Sequence, residues 1–422
     1  MSILIRQAKI VAPGSTNNNR VMDVLVDGGK ITDIKKTISA RGNPKIIEAE
    51  GLYVSPGWVD LQAAACDPGF EHRETIDSLA RASAAGGFTA VCVHSCTSPA
   101  LDTKSQIEYV LNRSVGKVTE VFPFGTITVG AAGTDLAEMY DMKRSGAVAF
   151  SDYKNNLADA GTVMRALQYA SNINALIITH CNDHSISKGG HVNEGETAAA
   201  LGIKAIPALA EELMVERNLS VLRYTGGKIH FPTISTKGSI DLIRRAKAEG
   251  LAVTCGVAAI SLLLDDSVLE GFNANYKVDP PLRSRKDVLA LRTAVENGTI
   301  DVIVSDHQPQ DLESKELEFD LADNGIINSQ TAFSCAFEAL KEKNIPNLIS
   351  CLAVSPRQIL GLPKVLVNEG EEANLTIFST EKQTEFSERN NLSKSRNSPF
   401  FDRPLAGRVI GVIRGTKSYF NA

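Results

Sequence analysis

Asp152, His180 and Asp306 each close an apolar run, in Ala149-Phe150-Ser151-Asp152, Ile177-Ile178-Thr179-His180 and Val302-Ile303-Val304-Ser305-Asp306. Two carboxylates and an imidazole are the side chains that hold a divalent cation, and a strand-end aspartate is also suited to moving a proton. Each has a plainer use as well. A strand-end Asp caps a helix or anchors a loop, and a lone His there packs and hydrogen-bonds. His94, Cys66, Cys96 and Cys181 stand nearby in the same pattern. Thiolates bind soft metals, but free cysteine also behaves as a small hydrophobe, so space-filling is the first reading of Cys66 and Cys96. A Cys66–Cys96 disulfide is a further option that a reducing compartment disfavours.

For these residues to share a site, the chain must bring the ends of its apolar runs together. Segments 90–94, 147–150, 175–179, 228–231, 251–255 and 301–305 read as strands, and 78–85 and 238–249 read as helices closed by Gly86-Gly87 and Gly250. Apolar strands alternating with helices imply a parallel sheet buried on both faces. About eight such units favour a (β/α)8 TIM-type barrel, whose chemistry gathers at the C-terminal strand ends. Gln62, Ala64 and Cys66 would then follow the first strand, Ser95, Cys96 and Thr97 the second, and Thr233 the run His230-Phe231-Pro232. Both chain ends are rich in short β-like runs, with Asp27-Gly28-Gly29 as a turn. They predict a small composite β-sandwich domain of residues 1–54 plus 366–422 around a barrel of residues 55–365. The polar stretch 380–398 reads as a surface loop.

The chain has 422 residues, 43% hydrophobic and 22% charged, enough for one large domain and a smaller one. A net charge of -5 gives no electrostatic case for nucleic acid or an anionic membrane. No apolar run approaches the ~18 residues of a membrane span. The start, Met1-Ser2-Ile3-Leu4-Ile5-Arg6, lacks a signal-peptide core. Seven cysteines without a Cys-x-x-Cys pair suit reduced thiols, so a cytoplasmic location is expected.

Eight segments in order carry a family resemblance: Pro56-Gly57-Trp58-Val59-Asp60, Asp67-Pro68-Gly69-Phe70-Glu71, Ala84-Ala85-Gly86-Gly87-Phe88-Thr89, Ala149-Phe150-Ser151-Asp152, Ser235-Thr236-Lys237-Gly238-Ser239, Asp279-Pro280-Pro281-Leu282-Arg283, Asp301 to His307, and Ser393 to Phe400. Over nearly its full length the chain resembles type I dihydroorotases of the amidohydrolase superfamily. The resemblance implies reversible ring closure of carbamoyl aspartate to dihydroorotate at a one- or two-zinc centre that activates a hydroxide. It assigns Asp152 to the bridging carboxylate, His180 to one histidine ligand, and Asp306 to the catalytic carboxylate, also a metal ligand.

The other positions depart from the pattern. Gln62 and Ala64 replace the first two histidines and Thr233 the remaining one. Cys66 replaces the substrate-binding Arg and Cys96 an Asn, and Asp279 replaces another Asn. Gly256 to Ser261 lacks the usual Glu and His pair, and Tyr153-Lys154 stand where Asp-Gly is usual. The metal, if any, would be zinc, and the remaining Asp152, His180 and Asp306 are too few for a normal centre. The reading that follows is a non-catalytic homologue, without cofactor, whose Asp306 is vestigial. It would act as scaffold or regulator, with aspartate transcarbamoylase the partner that the resemblance implies and a homodimer the expected assembly. The alternatives are an active dihydroorotase or related cyclic amidohydrolase with a reduced or rebuilt metal site, and a small-molecule sensor that binds without converting.

Overall fold

A computed structural model describes residues 2–39, 42–341 and 344–422. The N-terminal segment forms β1 (Ile3–Ile10), β2 (Val21–Asp27), β3 (Lys30–Lys35), β4 (Lys45–Ile47) and β5 (Leu52–Pro56). The middle contributes β6 (Trp58–Ala63), β7 (Phe88–Val93), β8 (Glu120–Pro123), β9 (Phe150–Ser151) and β10 (Ile177–Ile178). An inserted pair, β11 (Val192–Asn193) and β12 (Ala205–Ile206), precedes β13 (Ile229–Phe231), β14 (Val253–Ala258) and β15 (Val302–Val304). The chain ends with β16 (Asn374–Thr384), β17 (Leu405–Arg414) and β18 (Lys417–Phe420).

Strands β6-β7-β8 and β9-β10-β13-β14-β15 are two parallel runs. Single bridges join them: Gly125 with Phe150 between β8 and β9, and Ala63 with His307 between β15 and β6. The eight strands thus close into the expected (β/α)8 barrel. The helices between them begin where the sequence signals it. Thr75, Asp159, Thr236 and Ser284 each place a side-chain oxygen on a free N–H of the first turn.

The two chain termini form one sheet of order β18-β17-β16-β5-β1-β2-β3, with β4 added to β1. β3 pairs back onto residues 371–373, through Ile31 N donating to Glu371 O and Ala373 N to Gly29 O, both at 2.9 Å. The sheet therefore folds over its own apolar cluster, which includes Ile5, Ile10, Val24, Ile31, Val54, Leu375 and Ile377. Among the described residues no helix is long and apolar enough to cross a membrane.

Trp58 joins barrel to sheet. It is fully buried against Phe88, Phe333 and Phe378, the last on β16, and its Nε1 donates to Ser55 Oγ at 2.9 Å. Gly87 lets this happen: its φ is +94°, and a Cβ there would lie 2.5 Å from the indole ring.

The expected surface loop at 380–398 holds in its middle, where residues 385–394 lie outside helix and strand and are mostly exposed or half-buried, and is corrected at its two ends. β16 runs on to Thr384, and Ser395, Asn397 and Ser398 are buried. The reason is Glu74, which is fully buried and accepts hydrogen bonds from Ser393 Oγ and, at 3.3 Å, from Lys394 N. A buried carboxylate needs such donors, and the polar segment supplies them.

Trp58→Ala removes the side chain that joins the two layers. It should lower unfolding free energy by about 3–5 kcal/mol, with Trp58→Phe losing clearly less. Urea unfolding of both variants checks this, and near-wild-type stability of the alanine variant would contradict it.

Candidate functional site

The Lys154 ammonium lies at the C-terminal strand ends of the barrel. Its Nζ donates to Asp306 Oδ2 at 2.9 Å and to the Asp279 backbone carbonyl, and its side chain is only 10% exposed. Asp306 follows the β15 run with a φ of +48°, and its Oδ1 has no hydrogen-bond partner among the described residues. Burial pushes the Asp306 carboxyl up, Lys154 pulls it back, and Asp279 adds a smaller upward push.

Asp279 and His180 form the neighbouring contact. The Asp279 carboxylate lies 3.3 Å from His180 Nε2, close enough for an ion contact but without the alignment of a hydrogen bond. Burial alone would raise the Asp279 carboxyl. The charges of His180, Lys154 and His184 outweigh it and hold the group below the usual carboxylate range. The acid that stands in place of an Asn thus serves as counter-charge inside the mouth.

Asp152 is tied elsewhere. It accepts hydrogen bonds from Ile127 N at 2.7 Å, Thr128 N at 3.0 Å and Thr128 Oγ1 at 2.5 Å. Burial still pushes its carboxyl up against these bonds. Its geometry is that of a loop clamp. Asp152, His180 and Asp306 therefore sit at the ends of β9, β10 and β15, each engaged by a different partner. Among the described residues no three His, Cys, Asp or Glu side chains are grouped as a metal would need.

The positions that lack the expected histidines offer little in their place. Ala64 presents a methyl group, and Gln62 Oε1 and Thr233 Oγ1 are buried without a partner among the described residues. A catalytic zinc needs about three protein ligands. Three of the four imidazoles that the resemblance assigns to the site are replaced here, and Asp306 is paired with a cation.

Two further histidines are uncharged at neutral pH. Burial lowers His94 and His230 to about 3. His94 Nε2 lies 3.2 Å from Leu61 O, and its ring packs 5.1 Å from that of Tyr153. His230 Nδ1 meets Thr254 Oγ1 at 2.8 Å. At the mouth a cavity of about 310 Å³ opens between the loops after β6, β7, β8, β9 and β15. Cys66 and Cys96 line it, both as free thiols rather than a disulfide.

Lys154 and Glu74 were not assigned roles from sequence. Lys154 had a usable signal, a cation in place of Asp-Gly two residues after a strand-end aspartate. Glu74 had none, because its partners are distant in sequence. His307 Nδ1 accepts from Asn328 N at 3.1 Å, so Nε2 carries the hydrogen and donates to Glu74 Oε2 at 3.2 Å.

Residues 51–239 match the family model described as dihydro-orotase-like. A dihydroorotase of Trichlorobacter lovleyi is 37% identical over 424 residues, covering 100% of both chains. One from Geotalea daltonii is 38% identical, covering 98% of each. Among solved structures, the L-hydantoinase (dihydropyrimidinase) of Arthrobacter aurescens superposes with a TM-score of 0.84 at 21% identity, over 99% of this chain and 95% of that one. The dihydropyrimidinase of Brevibacillus agri gives 0.82 at 21% identity, over 100% and 95%. These two establish the fold alone.

Lys154→Met leaves Asp306 buried without its counter-charge and should cost about 3 kcal/mol. Lys154→Met combined with Asp306→Asn should recover most of that loss. Denaturant unfolding of the single and double variants measures it, and simple additivity would contradict the pairing.

The neutral histidines set a pH dependence. Their folded pKa values lie near 3, against an ordinary 6.5, so the unfolded chain binds more protons between those limits. Their contribution to stability is complete above 6.5 and is lost as pH falls toward 3. The fall in Tm on acidification should be shallower in His94→Phe than in the wild type, and an equal slope would contradict the assignment.

Proposed function

The chain belongs to the dihydroorotase family, and we propose that within it this protein is a non-catalytic member that serves de novo pyrimidine synthesis as a scaffold or regulator. One observation carries the reading: the Lys154 ammonium is salt-bridged to Asp306, the residue to which the resemblance gives both catalysis and metal binding.

Magnitudes favour it. A divalent ion about 4 Å from a fixed ammonium meets roughly 8 kcal/mol of repulsion at an effective dielectric of ~20. Structural zinc sites with a full ligand set bind with roughly 10–16 kcal/mol. A site that has lost three of four imidazoles has no such reserve to offset the repulsion. The substrate side agrees, since Cys66 and Cys96 offer no equivalent of an Arg–carboxylate clamp, whose loss costs about 2–5 kcal/mol in a buried site.

The fold of the barrel and its composite sheet is intact, which is what a binding partner would require. We take aspartate transcarbamoylase as that partner, because enzymes of the two types assemble in the family the chain resembles.

Two measurements test the proposal on the purified protein. Elemental mass spectrometry should find well under one zinc per chain, and dihydroorotate hydrolysis should stay at background with and without added zinc. Stoichiometric zinc with turnover would overturn the non-catalytic reading. Affinity capture from native lysate should retain aspartate transcarbamoylase, and its absence would overturn the choice of partner.

A further inference from the structure

A second cavity, of about 730 Å³, lies between the β11–β12 insertion, Phe272 and residues 317–320. It shares no lining residue with the cavity at the barrel mouth. It rests on an apolar cluster distinct from the barrel and sheet cores. Val192, Ala198, Leu269 and Phe319 are buried in that cluster, and Ile203 packs against it.

One wall is fixed by two buried ammonium groups. Lys277 Nζ donates to the carbonyls of Phe319 at 2.7 Å, Asp320 at 2.9 Å and Ala322 at 2.7 Å. Lys315 Nζ donates to those of Asp323 at 2.8 Å and Gly325 at 3.2 Å. A buried cation needs such acceptors, so the turn they hold is a preformed wall, which lowers the cost of binding.

Phe272 forms another part of the wall. Its φ is +54°, in the left-handed region that a bulky side chain avoids, yet the residue is 49% exposed. A half-exposed ring gains little from burial to offset that strain, and strain held at such a position is a mark of function. The ring meets that of Phe319 edge to face, with centroids 6.4 Å apart.

The rim carries both signs of charge. Lys204 precedes β12, and its Nζ would lie 3.4 Å from a Cβ placed on Gly189. Glu318 and Asp320 come from the opposing turn. All three are exposed, and among the described residues no ion pair joins Lys204 to either acid.

We propose that this cavity binds a small aromatic zwitterion of the α-amino acid class. Its ring packs on Phe272 and Phe319, its carboxylate meets Lys204, and its ammonium meets Glu318 and Asp320. A ligand with only one charge would face an uncompensated group of the same sign, and a neutral hydrocarbon would leave every charge on the rim unused. The volume is that of a small-molecule site. The site lies apart from the barrel mouth and does not depend on whether the protein is catalytic.

Calorimetric titration of the full chain with L-phenylalanine tests this. One molecule should bind per chain, with a Kd of roughly 1 mM or tighter. L-Phenylalaninamide lacks the carboxylate, 3-phenylpropionate the ammonium and L-alanine the ring, and each should bind about tenfold more weakly. Lys204→Met should weaken L-phenylalanine about tenfold and leave L-phenylalaninamide unchanged. Phe272→Gly suits the left-handed backbone, so the variant keeps its fold, and it should lose about tenfold in affinity. The wild-type titrations with the three analogues are decisive by themselves if a variant folds poorly. Absence of binding, equal affinity for L-phenylalanine and its amide, or wild-type affinity in Phe272→Gly overturns the proposal.

Discussion

The barrel mouth depends on one charge. Asp306 and Asp279 lie close together there, and two carboxylates in a low-dielectric site cannot both stay ionised without a cation. Lys154 supplies it, with one ammonium bonded to the Asp306 carboxylate and to the Asp279 backbone. The opposing shifts of the two acids follow from their partners. Asp306, with an unpartnered Oδ1, remains pushed up by burial, whereas Asp279, facing His180 as well as Lys154, is held down. His94 and His230 lie deeper and carry no charge, so the ammonium of Lys154 is the cation that meets the Asp306 carboxylate.

The scaffold around this charge is built with small tolerances. Several barrel strands are only two or three residues long, and closure rests on the Ala63–His307 and Gly125–Phe150 bridges. His307 serves twice. Its backbone closes the barrel, and its ring reaches Glu74, which also receives Ser78 and Ser393. Cys66, Tyr153 and Asp306 all have left-handed backbone at the mouth. Such conformations cost about 1–3 kcal/mol each and persist only where the surroundings fix them. The loops that frame the barrel mouth are therefore held firmly.

Sequence made the architecture legible because periodicity is a local property. The strands at 177–178, 229–231 and 302–304 and the helices opened by Thr75 and Thr236 follow from apolar runs and caps within a few residues. The short β8, Glu120–Pro123, is not legible in the same way, because four residues ending in proline carry almost no periodic signal. The positions of Asp152, His180 and Asp306 at strand ends were legible for the same local reason. Their partners were not. Thr128 precedes Asp152 by 24 residues and Lys154 precedes Asp306 by 152, and no spacing rule joins them. Glu74 and Ser393, 319 residues apart, show the same limit at the inward end of the 380–398 stretch.

Three acidic side chains at this mouth have three separate physical solutions. Asp306 has an ammonium, Asp279 an imidazole, and Asp152 a hydroxyl and two amides. That separation bears on how the site could take up a metal. Histidines introduced at Gln62, Ala64 and Thr233 would supply donors, but the carboxylates would remain committed elsewhere. The metal would have to break the Lys154 bond and draw Asp152 off Thr128, leaving a buried ammonium and two amide N–H groups to be satisfied again. Each unsatisfied buried group costs about 1–3 kcal/mol, more for a charge. The departure from the zinc pattern is thus set by the whole network of mouth contacts and not by ligand identity alone, because each carboxylate is held by bonds that also order the loop it belongs to.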